Sequence, residues 1–288
     1  MLTLKAYAKL NLVLEVLGRR ADGYHEIVSI MQTVSLHDVL TLEVAGRIRL
    51  NFSLPGLPDH ANMVLKAAQR LVEVTGYGGG VVIGLEKHIP MGAGLGGGSS
   101  DAAAVLRGLN KLWQLGLTAE RLAAIGAGLG SDVPFFIYGG TCLVEGRGER
   151  VTTLADLEKM CFVLLRPDLP VPPGKTAALY RLVQPVHYTS GGLSTGVRDQ
   201  FARLGERKPG TIYNVFEKVA ADAFPGLDDY MEDFRRAGAP EVHLAGSGPM
   251  LFTLLDDEMK ASVIHANLLA GGLESYVAAS VGRKEFGC

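Results

Sequence analysis

Cysteine is scarce in this sequence. Cys142, Cys161 and Cys288 are the whole complement of its 288 residues, far apart and odd in number. Such spacing excludes a disulfide framework and a CxxC pair, and it points to a reducing compartment. Positive charge is not in excess either: 28 Lys and Arg against 30 Asp and Glu leave a formal net charge of −2. That balance lacks the basic surface that nucleic-acid binding demands, whereas a phosphate site needs only a few well-placed donors and stays open. No apolar run reaches the length of a membrane span. The amino-terminal MLTLKAYAKLNLVLEV alternates instead of forming an apolar block behind a basic head, so it reads as a strand and not as a signal peptide. The expectation is a soluble, cytoplasmic protein with neither a membrane nor a nucleic-acid partner.

Hydrophobic residues make up 48% of the chain and charged residues 20%, enough for a packed core and against wholesale disorder. Leu10, Leu12, Leu14 and Val16 alternate with Lys9, Asn11 and Glu15, the period of a strand. A polar turn with an Asp22-Gly23 pair follows, and further strands are predicted over Glu26–Val34, Asp38–Val44 and Ile48–Leu54. Pro55–Ala61 reads as a loop, Asn62 opens a helix, and Val81–Glu86 is a strand. Helices are then predicted over Ala102–Leu115 and Thr118–Gly126. After an extended, proline-marked connection, the second half mixes helices with strands near Val242–Leu244, Met250–Leu255 and Ser275–Ser280. This order is an α+β protein, divided into residues 1–155 and 156–288.

Between a strand and a helix lies Pro90-Met91-Gly92-Ala93-Gly94-Leu95-Gly96-Gly97-Gly98-Ser99-Ser100-Asp101. Glycine lets backbone approach an anion, and the helix start adds unpaired N–H groups and the positive end of its dipole. Ser99 and Ser100 can bond phosphate oxygens or cap the helix, and Asp101 can cap as well. A flexible linker is the bland alternative, but the order of the segment speaks against it. No Lys follows the last glycine, so this is not a Walker loop. Gly92, Gly94 and Gly97 satisfy a dinucleotide fingerprint, yet the loop is too long, Pro90 interrupts it, and antiparallel-looking strands come first.

The run Pro90–Ala103, with its GLGGGSSDAA, resembles the signature of the GHMP kinases, the family of galactokinase, homoserine kinase and mevalonate kinase. Ala8-Lys9-Leu10-Asn11-Leu12, Arg20–His25, Gly130–Phe135 and Ala245–Pro249 resemble further motifs, in the family's order and across nearly the whole chain. The extra glycines and the amino-terminal motifs are similar to members whose substrate carries a cytidine diphosphate group. The resemblance implies a two-domain fold: an amino-terminal, ribosomal-protein-like mixed sheet with helices and a carboxy-terminal ferredoxin-like domain, with the active site in the cleft between them. It implies transfer of a phosphoryl group from ATP, with Mg²⁺, to a hydroxyl of such a substrate in isoprenoid precursor synthesis.

Residue by residue, it implies that Lys9 and Asp132 are catalytic and that Asn11 faces the reacting centre. Alternation alone reads Lys9 and Asn11 as a solvated face, and Asp132 before Val133-Pro134 is also a good helix cap. Pro90, Gly92, Gly94, Leu95, Gly96, Gly97, Gly98, Ser99 and Ser100 would hold ATP phosphates, with Asn62 and Lys87 near the adenosine. For those two, a helix cap and a solvated strand end are the ordinary alternatives. Tyr24, His25 and Tyr180 would hold the cytosine, although Pro172-Pro173-Gly174-Lys175-Thr176 ahead of Tyr180 departs from the family's usual wording. Glu120, the acidic residue between Asp101 and Asp132, does not align with a family metal ligand, so the Mg²⁺ ligands stay unassigned. A kinase for a sugar or mevalonate would have no need of the Tyr24-His25 pair, and a non-catalytic nucleotide-binding regulator would have no need of Lys9 with Asp132.

Overall fold

The alternation at the amino terminus belongs to a strand longer than the periodicity suggested. In a computed structural model describing residues 1–51, 62–203 and 211–286, β1 runs Leu2–Arg19 and turns back into β2, His25–Ala45. The Asp-Gly turn closes this hairpin, with Gly23 at φ 86° and Asp22 Oδ1 accepting from the Tyr24 amide at 3.1 Å. β2 is one strand where two were predicted, because Ser35 and Leu36 form a bulge between the Tyr7–His37 and Ala8–Val34 pairs rather than a turn. Ser35 spends its hydroxyl on the Ala279 amide at 2.9 Å, a partner that no local pattern announces.

β3, Arg49–Asn51, is followed by α1, Met63–Thr75, with Asn62 Oδ1 accepting from the Val64 amide as its cap. The predicted loop Pro55–Ala61 and Cys288 lie outside the described residues. β4, Gly80–Glu86, leads to the glycine loop and α2, Gly97–Leu112. Then come α3, Ala119–Ala127; α4, Val133–Tyr138; β5, Thr141–Gly146; and β6, Arg150–Thr153. The small, alanine-rich face of α2 lets it pack close to β1 and α1, and Ala102, Ala103, Val105, Leu106 and Leu109 are fully buried.

The second half supplies β7, Cys161–Leu165; α5, Lys175–Leu182; α6, Gly192–Arg203; β8, Tyr213–Asn214; and α7, Ala220–Ala223. It ends with α8, Leu227–Arg236; β9, His243–Leu244; β10, Leu251–Leu255; α9, Glu258–Ala270; β11, Ser275–Ala279; and α10, Arg283–Phe286. Among the described residues the strands form two sheets. One is mixed and seven-stranded, ordered β3-β4-β2-β1-β8 with β5 and β6 hung from β2; the other is four-stranded and antiparallel, ordered β11-β7-β10-β9. β8 comes from the second half yet pairs with β1, and a shared core of Leu10, Leu12, Phe162 and Phe252 lies between the sheets. β1 is therefore covered on both faces, which the single-faced alternation did not anticipate. No described helix is long and apolar enough to cross a membrane.

Candidate active site

Burial of β1 changes what its polar residues mean. Lys9 and Asn11 are 4% and 5% exposed, not the solvated face that alternation suggests. A buried polar group needs partners, and these form a chain. Lys9 Nζ donates to Asn11 Oδ1 at 2.7 Å, Asn11 Nδ2 donates to Ser29 Oγ at 2.8 Å, and Ser29 donates to the Val13 carbonyl at 2.6 Å. Lys9 Nζ also stands 3.9 Å from Asp132 Oδ2. Burial pulls the Lys9 ammonium below the usual lysine range, and Asp132 partly offsets this. Asp132 occupies the cap position of α4 but makes no side-chain cap bond. Its side chain, 38% exposed, lines the cleft beside Lys9 instead.

The glycine loop forms one wall of that cleft, about 540 Å³ in volume. Gly92, Gly94 and Gly96 have φ of 68°, 90° and 73°, where any other residue is strained. Gly97 and Gly98 do something different: they begin α2, well ahead of the predicted Ala102. Its cap is Gly96, which has no side chain to bond, so the first-turn amides remain available to an anion. Neither serine nor Asp101 caps the helix. Ser100 is buried and donates to the Tyr7 carbonyl at 2.6 Å, so the hydroxyl expected on the nucleotide is committed to β1 and does not line the cleft. Ser99 does line it.

Lys87 is no solvated strand end. It lies between Asp38 and Asp101, bonded to both, with Asp101 Oδ2 at 2.7 Å. Asp38 Oδ1 accepts from the His88 and Ile89 amides at 2.6 and 2.8 Å, fixing the chain where it enters the loop. Burial lowers Lys87, but Asp101 and Asp38 outweigh it and the net shift is upward. Burial pushes Asp101 up, and Asp38, sharing the same cation, adds to this against Lys87. Asn62 lines the cleft while capping α1.

A second cavity of about 1270 Å³ adjoins the first, and Asp132, Lys175, Thr176 and Tyr180 belong to both walls. The structure brings Tyr24, His25 and Tyr180 together here. The His25 ring stacks on Tyr180 at 4.9 Å and 15°, and Phe216 packs edge-on against Tyr180 at 4.9 Å. Burial, then Arg19, holds His25 below the usual imidazole range. Tyr24 is 51% exposed, with the Arg147 guanidinium 5.1 Å above its ring. Arg147 and Lys175 were not anticipated as site residues; Lys175 had a signal, since it stands where the sequence departs from the family's wording. The carboxy-terminal loop closes the junction: Thr176 and Ser247 hydroxyls bond at 2.9 Å, and Asn214 Nδ2 donates to the Leu244 and Gly246 carbonyls.

Glu120 sits exposed in the first turn of α3 and lines neither cavity. Among the described residues no three His, Cys, Asp or Glu side chains cluster as a preformed metal site.

The chain that builds this cleft has known counterparts. The model for the GHMP kinases N terminal domain matches residues 62–140, and that for the GHMP kinases C terminal domain matches residues 197–272. A 4-diphosphocytidyl-2-C-methyl-D-erythritol kinase of Dehalococcoides mccartyi is 47% identical, covering 98% of this chain and 99% of its own. One from Gloeobacter violaceus is 40% identical, covering 95% and 92%. A crystal structure of a 4-(cytidine 5'-diphospho)-2C-methyl-D-erythritol kinase superposes with a TM-score of 0.81 at 36% identity, covering 98% of this chain and 100% of that one. The chain belongs to the GHMP kinase family, among its 4-diphosphocytidyl-2-C-methyl-D-erythritol kinases.

Proposed function

We propose that this chain transfers the γ-phosphoryl group of ATP to the 2-hydroxyl of 4-diphosphocytidyl-2-C-methyl-D-erythritol. The products are the 2-phosphate and ADP, and the step belongs to the non-mevalonate route to isoprenoid precursors. One observation carries the reading: Lys9 and Asp132 meet where a glycine-walled cavity joins an aromatic-walled one. The first suits nucleotide phosphates and the second a pyrimidine.

In this reading the phosphates lie on the amides of the Gly92–Gly98 loop and the open start of α2, with Asn62 and Lys87 beside the adenosine. Tyr24, His25 and Tyr180 hold the cytosine, by stacking and by hydrogen bonds to its edge. Phosphoryl transfer has a loose transition state and depends on positioning and charge stabilisation. The acceptor oxygen bonds to the γ-phosphorus as the bond to the β-phosphate oxygen breaks, and Asp132 takes the hydroxyl proton. Lys9 stabilises the Asp132 carboxylate and the charge on the group in flight. Were Mg²⁺ bound, the Ser99 hydroxyl and the Asp132 carboxylate, both lining the cleft, would supply the one or two protein oxygens that it takes beside substrate phosphates. The ion would supply positive charge to offset that of the phosphates. Residues 1–155 and 156–288 serve as the two domains. The near-balanced charge supports small-molecule partners, not nucleic acid, and the sparse cysteines support a cytoplasmic setting.

The test is ADP release with MgATP and the cytidyl substrate, run beside galactose, homoserine and mevalonate, for wild type and Asp132→Asn. We expect turnover of the cytidyl substrate alone, reduced roughly 10²-fold or more in Asp132→Asn with melting unchanged. ATP binding without turnover of any acceptor would refute the reading and favour a nucleotide-binding regulator.

A further inference from the structure

Lys175 has no place in the roles assigned so far. It opens α5 directly after Gly174, which adopts φ 67°, and its ammonium donates to the carbonyls of Ser247, at 3.1 Å, and Gly248. An ammonium has three protons to donate, and these two bonds leave one uncommitted. Lys175 lines both the glycine-walled and the aromatic-walled cavity, as Asp132 does.

The charge around it is unbalanced. Among the described residues no ion pair joins Lys175 to a carboxylate. Burial, and then repulsion from Lys9, bring its ammonium down to about 7. Buried Lys9 and half-buried Lys175 thus share the cleft with Asp132, a partly exposed carboxylate, and with Asp101, which is already bonded to Lys87. Arg181 on its own helix lines the aromatic-walled cavity with Arg19, Asp22 and Arg147, and Arg181 and Asp222 on α7 line a further hollow that Lys175 also borders. A desolvated pair of ammoniums is costly unless an anion joins it. The anion that fits between a nucleotide cavity and an acceptor cavity is the phosphoryl group itself.

We propose that Lys175 is a further catalytic residue of the transfer, its third proton donated to an oxygen of the phosphoryl group in flight while the Ser247 and Gly248 carbonyls hold it in place. It keeps its proton throughout; the hydroxyl proton still goes to Asp132. The proposal rests on the kinase reading above. Two features follow from it. The contact strengthens as charge spreads over the equatorial oxygens, so it favours the transition state over bound ATP. It is also built in cis, and so needs no partner protein to supply the cation.

The test compares wild type with Lys175→Met, Lys175→Gln and Lys175→Arg. Lys175→Met removes the charge and keeps an unbranched stem; Lys175→Gln keeps a donor to the carbonyls should Lys175→Met unfold. We expect kcat to fall about 10²–10³-fold in both neutral variants, with KM for both substrates within about threefold of wild type and partial recovery in Lys175→Arg. A second readout is binding of MgADP, the cytidyl substrate and aluminium fluoride together, a mimic of the planar phosphoryl group. Its advantage over MgADP and substrate alone should shrink by a similar factor in the neutral variants, which a purely structural lysine would not cause. Wild-type turnover with near-normal kcat in Lys175→Met overturns the proposal alone, as does an unchanged fluoride advantage. Absence of wild-type turnover overturns the kinase reading and this proposal with it.

Discussion

Gly94 and Gly98 stand four residues apart in one loop, and the structure assigns them opposite responses to the same substitution. Gly94 has φ 90°, and a Cβ built there would lie 2.9 Å from the Gly248 amide nitrogen and closer still to the Ala245 carbonyl oxygen. Both are backbone atoms, so no side chain can swing aside. Alanine at 94 incurs about 1–2 kcal/mol for a left-handed L-residue and about 1–3 kcal/mol for forcing the two loops apart. The sum, about 2–5 kcal/mol, lowers the melting temperature by roughly 5–15 °C for a chain of this size. Gly98 lies inside α2, and its added Cβ would meet nothing nearer than Met63 Cγ at 3.8 Å. Replacing a helical glycine by alanine gains about 0.5–1 kcal/mol, so Gly98→Ala should melt at or above wild type. Its cost should appear in KM for ATP, because the new methyl stands where a phosphate would approach the amides. Calorimetry with ADP-release kinetics on both variants separates the effects. Gly94→Ala melting with wild type would refute the claim that the phosphate loop is braced by the carboxy-terminal loop. A destabilised Gly98→Ala would refute the placement of Gly98 within α2.

Asp101 yields a test in pH. Its folded pKa, raised from 3.8 to about 7, means that the folded state binds more protons than the unfolded state between those values. Stability from this group is present below pH 3.8 and is lost as pH rises through 7. Asp101→Asn keeps an acceptor for Lys87 and removes the repulsion from Asp38, so the variant should gain on wild type from pH 4 to 7; parallel stability curves would rule this out. Tyr180→Leu removes the ring that stacks on His25. Base–aromatic stacking is worth about 1–3 kcal/mol, so competitive inhibition by CDP should weaken about tenfold or more with KM for ATP unchanged, and unaltered CDP inhibition would remove Tyr180 from the base site.

What was legible in the sequence was whatever the local chain must satisfy by itself. The loop glycines announce positive φ, the Asn62 cap is written two residues from its amide, and β1 shows its period in four aliphatic residues. What was not legible depended on partners far along the chain. Ser100 could be read as a phosphate ligand or a cap, but its hydroxyl is taken by the Tyr7 carbonyl, 93 positions away. For Lys87 a solvated strand end stayed open as the alternative to a place near the adenosine, because Asp38 and Asp101 are distant in sequence and close only once β2, β4 and α2 are packed. β2 looked like two strands because a bulge and a turn use the same residues.

The same distinction explains what Lys9 gains from its place on β1. A lysine on an ordinary strand face would be hydrated and mobile, and little of its charge would be felt several ångströms away. Lys9 is desolvated from both sides, by the cores beneath α2 and between the sheets, and by a carboxy-terminal loop so close that a Cβ on Gly246 would stand 2.7 Å from Nζ. Its amide is bound to the Leu95 carbonyl at 3.0 Å and its ammonium to Asn11, so neither the phosphate loop nor the cation can relax separately. Such a site is costly to assemble, and the cost is met by packing at positions that never touch a ligand. In return Lys9 is held 3.9 Å from Asp132, and in the proposed transfer a cation fixed in this way would stabilise the transition state without reorganising.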